Sequence, residues 1–135
     1  MRVAMAEIER AEKITINIGL VDLGEIDLLV DEGFFANRTD FIRTAIRRQL
    51  ETRSAAVKDS VERRTLQLGS VQYDKAQLEE LKAAGRTVHL RVLGLGSIAA
   101  DVSPELALAT IESVEVLGAF RASRAVKAAL APRTT

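Results

Sequence analysis

The sequence predicts a mixed α/β chain in two parts, with a strand and two helices near the N-terminus and a small βα-repeat domain after them. Three observations carry this reading. Residues 13–18 alternate strictly between apolar and polar. Two stretches between Asp22 and Leu50 carry apolar residues at helical spacing. From Thr65 onward a Leu-Gly step recurs at Gly69, Gly94 and Gly118, spaced by 25 and 24 residues.

The first element is Lys13-Ile-Thr-Ile-Asn-Ile. Successive side chains of a strand point to opposite faces, so Ile14, Ile16 and Ile18 share one face and Lys13, Thr15 and Asn17 the other. Gly19 breaks the run. Asp22 suits a helix N-cap, and Leu23, Ile26, Leu29 and Val30 follow at helical spacing. Gly24 weakens that helix by about 1 kcal/mol relative to Ala, and Gly33 suits its C-terminal stop. Asn37 can cap the next helix, with Asp40 in the first turn where the helix dipole favours an acid. Phe41, Ile42, Ala45, Ile46 and Leu50 form its apolar stripe, with Arg43, Arg47 and Arg48 mostly outside it. Beyond Leu50 the pattern allows either one helix continuing through Val57 and Val61 or a separate helix capped by Ser54.

The later half reads as three similar units, each a strand, a glycine turn and a capped helix. The first runs from Leu66 through Gly69 and Asp74 into a helix over 77–84. The second runs from Arg91 through Gly94 to Ser103-Pro104, a good N-cap and first-turn pair, and a helix over 105–109. The third runs from Glu115 through Gly118 to Ser123 and a helix over 124–131. Repeats of this length suggest a short solenoid-like stack of parallel strands with helices outside.

Composition narrows the chemistry. The 135 residues are 47% hydrophobic and 28% charged, as in ordinary globular proteins. Aromatic residues are only 4% and Trp is absent, so the core is aliphatic. With no cysteine and one histidine, disulfides, thiolate metal sites and a cysteine nucleophile are excluded, and a nickel-type sensor is disfavoured. His89 falls with Thr87 and Arg91 on the face opposite Val88, Leu90 and Val92, which reads as a lone exposed histidine. Gly94-Leu-Gly-Ser-Ile-Ala99 loosely matches a dinucleotide fingerprint, but Pro104 interrupts the helix it needs and the chain is too short for a complete nucleotide-binding sheet. No catalytic constellation stands out, so neither an enzyme nor a cofactor is expected. The opening residues alternate charge without an apolar core, unlike a signal peptide. No apolar run reaches membrane-spanning length, and a cytoplasmic location follows as an expectation.

Net charge is zero, but the charges are segregated. Asp22, Glu25, Asp27, Asp31 and Glu32 make one stretch acidic. Between residues 38 and 64, Arg38, Arg43, Arg47, Arg48, Arg53, Lys58, Arg63 and Arg64 outnumber the acids. A local positive face can therefore exist on a neutral chain.

A strand and two helices in about forty residues cannot bury their own core. Pairing the strands of two chains antiparallel solves this: Ile14, Ile16 and Ile18 go beneath, joined by Ile26, Leu29, Phe41, Ile42, Ala45 and Ile46 as the dimer core. Lys13, Thr15 and Asn17 of both chains then face outward on a ribbon that fits the major groove of double-stranded DNA. Lys13 can donate to guanine, Asn17 can pair with adenine, and Thr15 offers a hydroxyl or a methyl. The second helix, beginning at Asn37, offers free amides at Arg38, Thr39 and Asp40 for a phosphate, and Arg38 adds charge.

Taken together, residues 13–18 followed by Asn37-Arg-Thr-Asp-Phe-Ile-Arg-Thr-Ala-Ile-Arg closely resemble the ribbon-helix-helix regulators of the CopG/Arc/MetJ type. The resemblance covers about forty of the 135 residues. It departs at Gly19-Leu20, where many relatives have Pro followed by an acid. It implies a dimeric bacterial repressor or autoregulator, with Lys13, Thr15 and Asn17 reading bases and Asn37, Arg38 and Thr39 anchoring the DNA backbone.

The expected organisation is an N-terminal arm (1–11), a ribbon-helix-helix domain (12–52), a helical linker (53–64), a βα-repeat domain (65–131) and a tail (132–135). The repeat domain is expected to join dimers into tetramers or larger assemblies, or to sense a ligand. An antitoxin binding a toxin protein and an architectural DNA-coating protein are the alternatives. Toxin-wrapping segments tend to be polar and disordered, whereas 66–131 is apolar and regularly patterned.

Overall fold

The computed structural model describes residues 11–135, so the expected N-terminal arm lies, apart from Ala11, outside the described residues. These residues divide into two units, Ala11–Ser60 and Val61–Thr135.

In the first unit, residues 11–19 form no regular secondary structure in the single chain. A strand exists through a hydrogen-bonded ladder to a neighbouring strand, and none of the strands among the described residues pairs with this segment. Helix α1 (Leu20–Asp31) begins two residues before the expected cap: Gly19 occupies the N-cap position without a side-chain bond, and Asp22 lies in the first turn. The helix stops as expected at Gly33, whose φ is +85°. The Phe34 amide donates to Leu29 O (2.9 Å) and the Gly33 amide to Val30 O (3.1 Å), the paired bonds of a Schellman stop. Helix α2 (Arg38–Thr52) starts at the Asn37 cap. Phe35 meets Phe41 edge to face at 5.0 Å. The open question beyond Leu50 resolves into two helices, since the chain breaks at Arg53 before α3 (Ser54–Arg64).

The second unit is a three-stranded parallel sheet in the order β1 (Gln67–Tyr73), β2 (Val88–Ile98), β3 (Ile111–Arg121). Helices α4 (Lys75–Ala83), α5 (Pro104–Thr110) and α6 (Arg124–Leu130) follow the strands in turn. Each helix has a side-chain cap. Asp74 accepts from Gln77 N and forms a capping box, Ser103 accepts from Leu106 N ahead of Pro104, and Ser123 accepts from Val126 N. The helices cover the face presenting Leu90, Val92, Ile111 and Val114, and Leu78, Leu106, Val126 and Leu130 complete the core. Buried Thr110 satisfies its hydroxyl on Leu106 O at 2.7 Å.

The glycine positions need a correction. Gly69, Gly94 and Gly118 lie within strands rather than at turns, and they stand in one register row across the sheet. Their φ values are +113°, +135° and +123°. A Cβ on Gly94 would lie 2.2 Å from Gly69 O, and one on Gly118 would lie 2.1 Å from Gly94 O. Hydrogen-bonded pairing therefore continues through a backbone geometry that only glycine occupies without strain. Gly94–Ile98 belongs to β2, so the loose dinucleotide fingerprint does not sit at a strand-to-helix turn.

His89 is exposed, as expected, but it is not alone. Its Nδ1 lies 2.6 Å from Ser113 Oγ, and its Nε2 lies 3.3 Å from Glu112, which also accepts from the Thr87 hydroxyl. Arg64, at the end of α3, pairs with Glu115 on the strand face away from the helices. The final residues are likewise tied down. Arg133 donates to Leu108 O and Ile111 O, and Thr134 bridges to Val114 at the edge of β3.

Candidate nucleic-acid interface

Lys13, Thr15 and Asn17 are all exposed. On the alternate positions, Ile14 and Ile16 are 76% and 64% exposed, and Ile18 is half-buried. Of the other residues expected in a dimer core, Ile26 is buried, Leu29, Phe41 and Ile42 are half-buried, and Ala45 and Ile46 are exposed. Leu20, Val21, Leu28 and Leu50 are exposed as well. A concentration of aliphatic surface on a unit this small marks a contact surface.

The start of α2 is organised by its own side chains. Asn37 Oδ1 accepts from the Asp40 amide (2.8 Å), and Asp40 Oδ2 accepts from the Ala36 amide (2.9 Å). The Asp40 amide, expected to be available to a phosphate, is thus taken by the cap. The Arg38 and Thr39 amides take no part in these bonds. Asn37, Thr39, Arg43 and Arg47 line an open cavity of about 410 Å³ at this helix start. Thr39, Arg43 and Arg47 are each four residues apart, and i, i+4 spacing puts them on one helix face. That spacing is the signal in the sequence that groups Arg43 and Arg47 with Thr39.

Arg38 is engaged in the free chain. Its Nε and Nη2 donate to the two carboxylate oxygens of Asp27 on α1 at 2.7 and 2.8 Å, while Nη1 takes no part in either bond. These hydrogen bonds, helped by the guanidinium charge, hold the Asp27 carboxyl below its ordinary value and raise Arg38 further above neutrality. Asp27 is the positioning residue that sequence patterning did not single out, because it lay within a general acidic stretch. The sign of its pH effect follows from the lowered carboxyl value. The pair's contribution is complete above the ordinary aspartate range and is lost as pH falls through the lowered Asp27 value. Both partners are solvent-exposed, so the effect is small. We expect the melting difference between the parent chain and Asp27→Asn, followed by circular dichroism, to shrink on acidification. A difference that grows at low pH would contradict this assignment.

A family model described as the ribbon-helix-helix transcriptional regulator family matches residues 9–127. The chain belongs to that family. The match takes in the exposed Ile/Lys-Thr-Asn segment, helices α1, α2 and α3 and all three strands of the parallel sheet. Ribbon-helix-helix regulators bind DNA as dimers, which accounts for the aliphatic surface left open on the single chain. No curated protein and no solved structure matches the chain. No helix among the described residues is long and apolar enough to cross a membrane, and no group of three or more His, Cys, Asp or Glu among them could hold a metal ion.

Proposed function

We propose that two copies zip residues 13–18 into an antiparallel ribbon that enters the major groove and represses transcription, with autoregulation as one expected use. The exposure of Ile14 and Ile16 opposite a face of Lys13, Thr15 and Asn17 carries this reading. A ribbon buries the former and presents the latter to base edges. Asn37, Arg38 and Thr39 hold flanking phosphates, with Arg43 and Arg47 adding charge from the next turns of α2. Asp27 keeps the Arg38 guanidinium in one orientation, which lowers the entropy lost when it meets a phosphate.

The folded sheet, with its own core and capped helices, supports a regulator over an antitoxin with a toxin-wrapping tail. In this reading the sheet unit joins DNA-bound dimers into larger assemblies.

Asn17→Ala and Arg38→Ala test the interface by different signatures. Asn17→Ala is expected to lower preference for the operator by about 1–3 kcal/mol while sparing non-specific DNA. Arg38→Ala is expected to weaken binding to every sequence and reduce the salt slope by about 1. Operator and random-duplex titrations at several salt concentrations read both. Unchanged specificity in Asn17→Ala would mean that the reading face is assigned wrongly.

A further inference from the structure

The sheet leaves two strand edges, and they match each other. Among the described residues, β1 has a strand on one side only, and so does β3. The described C-terminal residues meet β3 at Ile111 and Val114, ahead of the row that contains Gly118. We infer that the β1 edge of one copy seats on the β3 edge of another, in parallel, with Gly69 opposite the second copy's Gly118. This deepens the assembly reading above and rests on it.

The register inside the sheet sets the contact. Leu68 stands opposite Leu93, and Leu93 opposite Leu117, one position before the glycines. Leu93 has neighbours on both sides and is half-buried, whereas Leu68 and Leu117 end the row at 74% and 43% exposure. Placing Leu68 of one copy beside Leu117 of the next continues the row with the same residue type. On the helix-covered face, Phe120 and Val71 occupy corresponding positions around Gly96 and would likewise become neighbours.

The backbone agrees. Gly94 and Gly118 each need an absent Cβ because the carbonyl of the preceding glycine occupies its place, whereas the same place at Gly69 is empty and its φ is nonetheless +113°. Gly69 thus holds the geometry of a strand that follows another, and the second copy's Gly118 carbonyl is the group that fits there.

The helical layer leaves matching room. α5 packs against both α4 and α6. Beside Tyr73 of β1, α4 presents Gln77, Glu80 and Leu81, with its C-cap Ala84, to an open cavity of about 640 Å³. In the assembled sheet, the α6 of the preceding copy stands next to α4. Such a contact joins unlike surfaces, so it links dimers into rings or open filaments rather than closing on itself.

The chain contains no cysteine, so cross-linking reads the contact directly. Full-length Leu68→Cys and Leu117→Cys chains are purified separately, then mixed, refolded together and oxidised without DNA. Adjacent strands lie about 4.8 Å apart, within disulfide range, whereas positions two strands apart are about 9.6 Å away and outside it. Covalent dimer is expected in the mixture and not in either variant alone. Gly69→Ala, whose new Cβ meets open space within its own chain, should retain its circular dichroism spectrum and lose species larger than the dimer in sedimentation. Larger species without the mixed cross-link would overturn the edge pairing while leaving assembly standing. A sole dimer at every concentration would overturn both.

Discussion

Gly94→Ala is expected to unfold the C-terminal sheet, while Gly69→Ala leaves it folded. The added methyl at Gly94 would lie 2.2 Å from Gly69 O, a backbone atom held in the ladder between β1 and β2, so no side chain can swing aside to relieve it. Two costs add. An L-residue in this positive-φ region is strained by about 1–3 kcal/mol, and overpacking a rigid neighbour typically costs about 1–3 kcal/mol more. Their sum, about 2–6 kcal/mol, removes much of the stability of a unit this small, roughly 4–11 kcal/mol at about 0.05–0.15 kcal/mol per residue. At Gly69 the second cost is absent, because nothing lies within 4 Å of the new Cβ. Thermal melts of the two variants, followed by circular dichroism, should therefore separate widely. Equal melting temperatures would show that the glycine row is not a steric requirement.

Ile16→Asp is expected to abolish dimerisation and, with it, binding to any DNA that requires the ribbon. Ile16 is 64% exposed in the single chain, so the substitution costs the isolated fold little. In the proposed ribbon the same position would lie on the underside. Two carboxylates, one per chain, would then be desolvated there without a partner, a penalty of several kcal/mol even after relaxation. A loss of at least a hundredfold in dimer affinity follows from about 3 kcal/mol. Sedimentation across a concentration series reads the dimer, and duplex titration reads its consequence. A dimer of undiminished affinity would place the subunit contact elsewhere. A monomer that still bound the operator tightly would remove the ribbon from the recognition step.

Residues whose role depends on local chemistry were legible in the sequence. Asn37, Asp74, Ser103 and Ser123 are cap-forming residue types ahead of helical patterns; Asn37, Ser103 and Ser123 are caps by expectation, and all four cap helices. The 25- and 24-residue spacing of the glycines foretold their shared row, since equal spacing brings equal positions of parallel strands together. Their backbone role was misread because Gly ordinarily signals a turn. Only the neighbouring carbonyl, which is distant in sequence, shows why each sits mid-strand. Asp22 is not the helix cap because the helix begins three residues earlier, from extended Gly19, and side-chain type alone does not fix a first turn. The Asp27–Arg38 pair spans a helix stop and a loop, so its partners are set by how α1 meets α2 rather than by any spacing. The proposed strand at 13–18 needs a second chain, so only its apolar and polar alternation is visible in the single one.

The common row of glycines also bears on how such a chain can change length. Each crossover from one glycine to the next occupies a near-constant stretch of polypeptide, and the joint between successive stretches is the same carbonyl-over-glycine step. Copying or deleting one whole stretch in the gene would lengthen or shorten the sheet and leave the two terminal strands as they are, whereas insertions of other sizes would throw the row out of line.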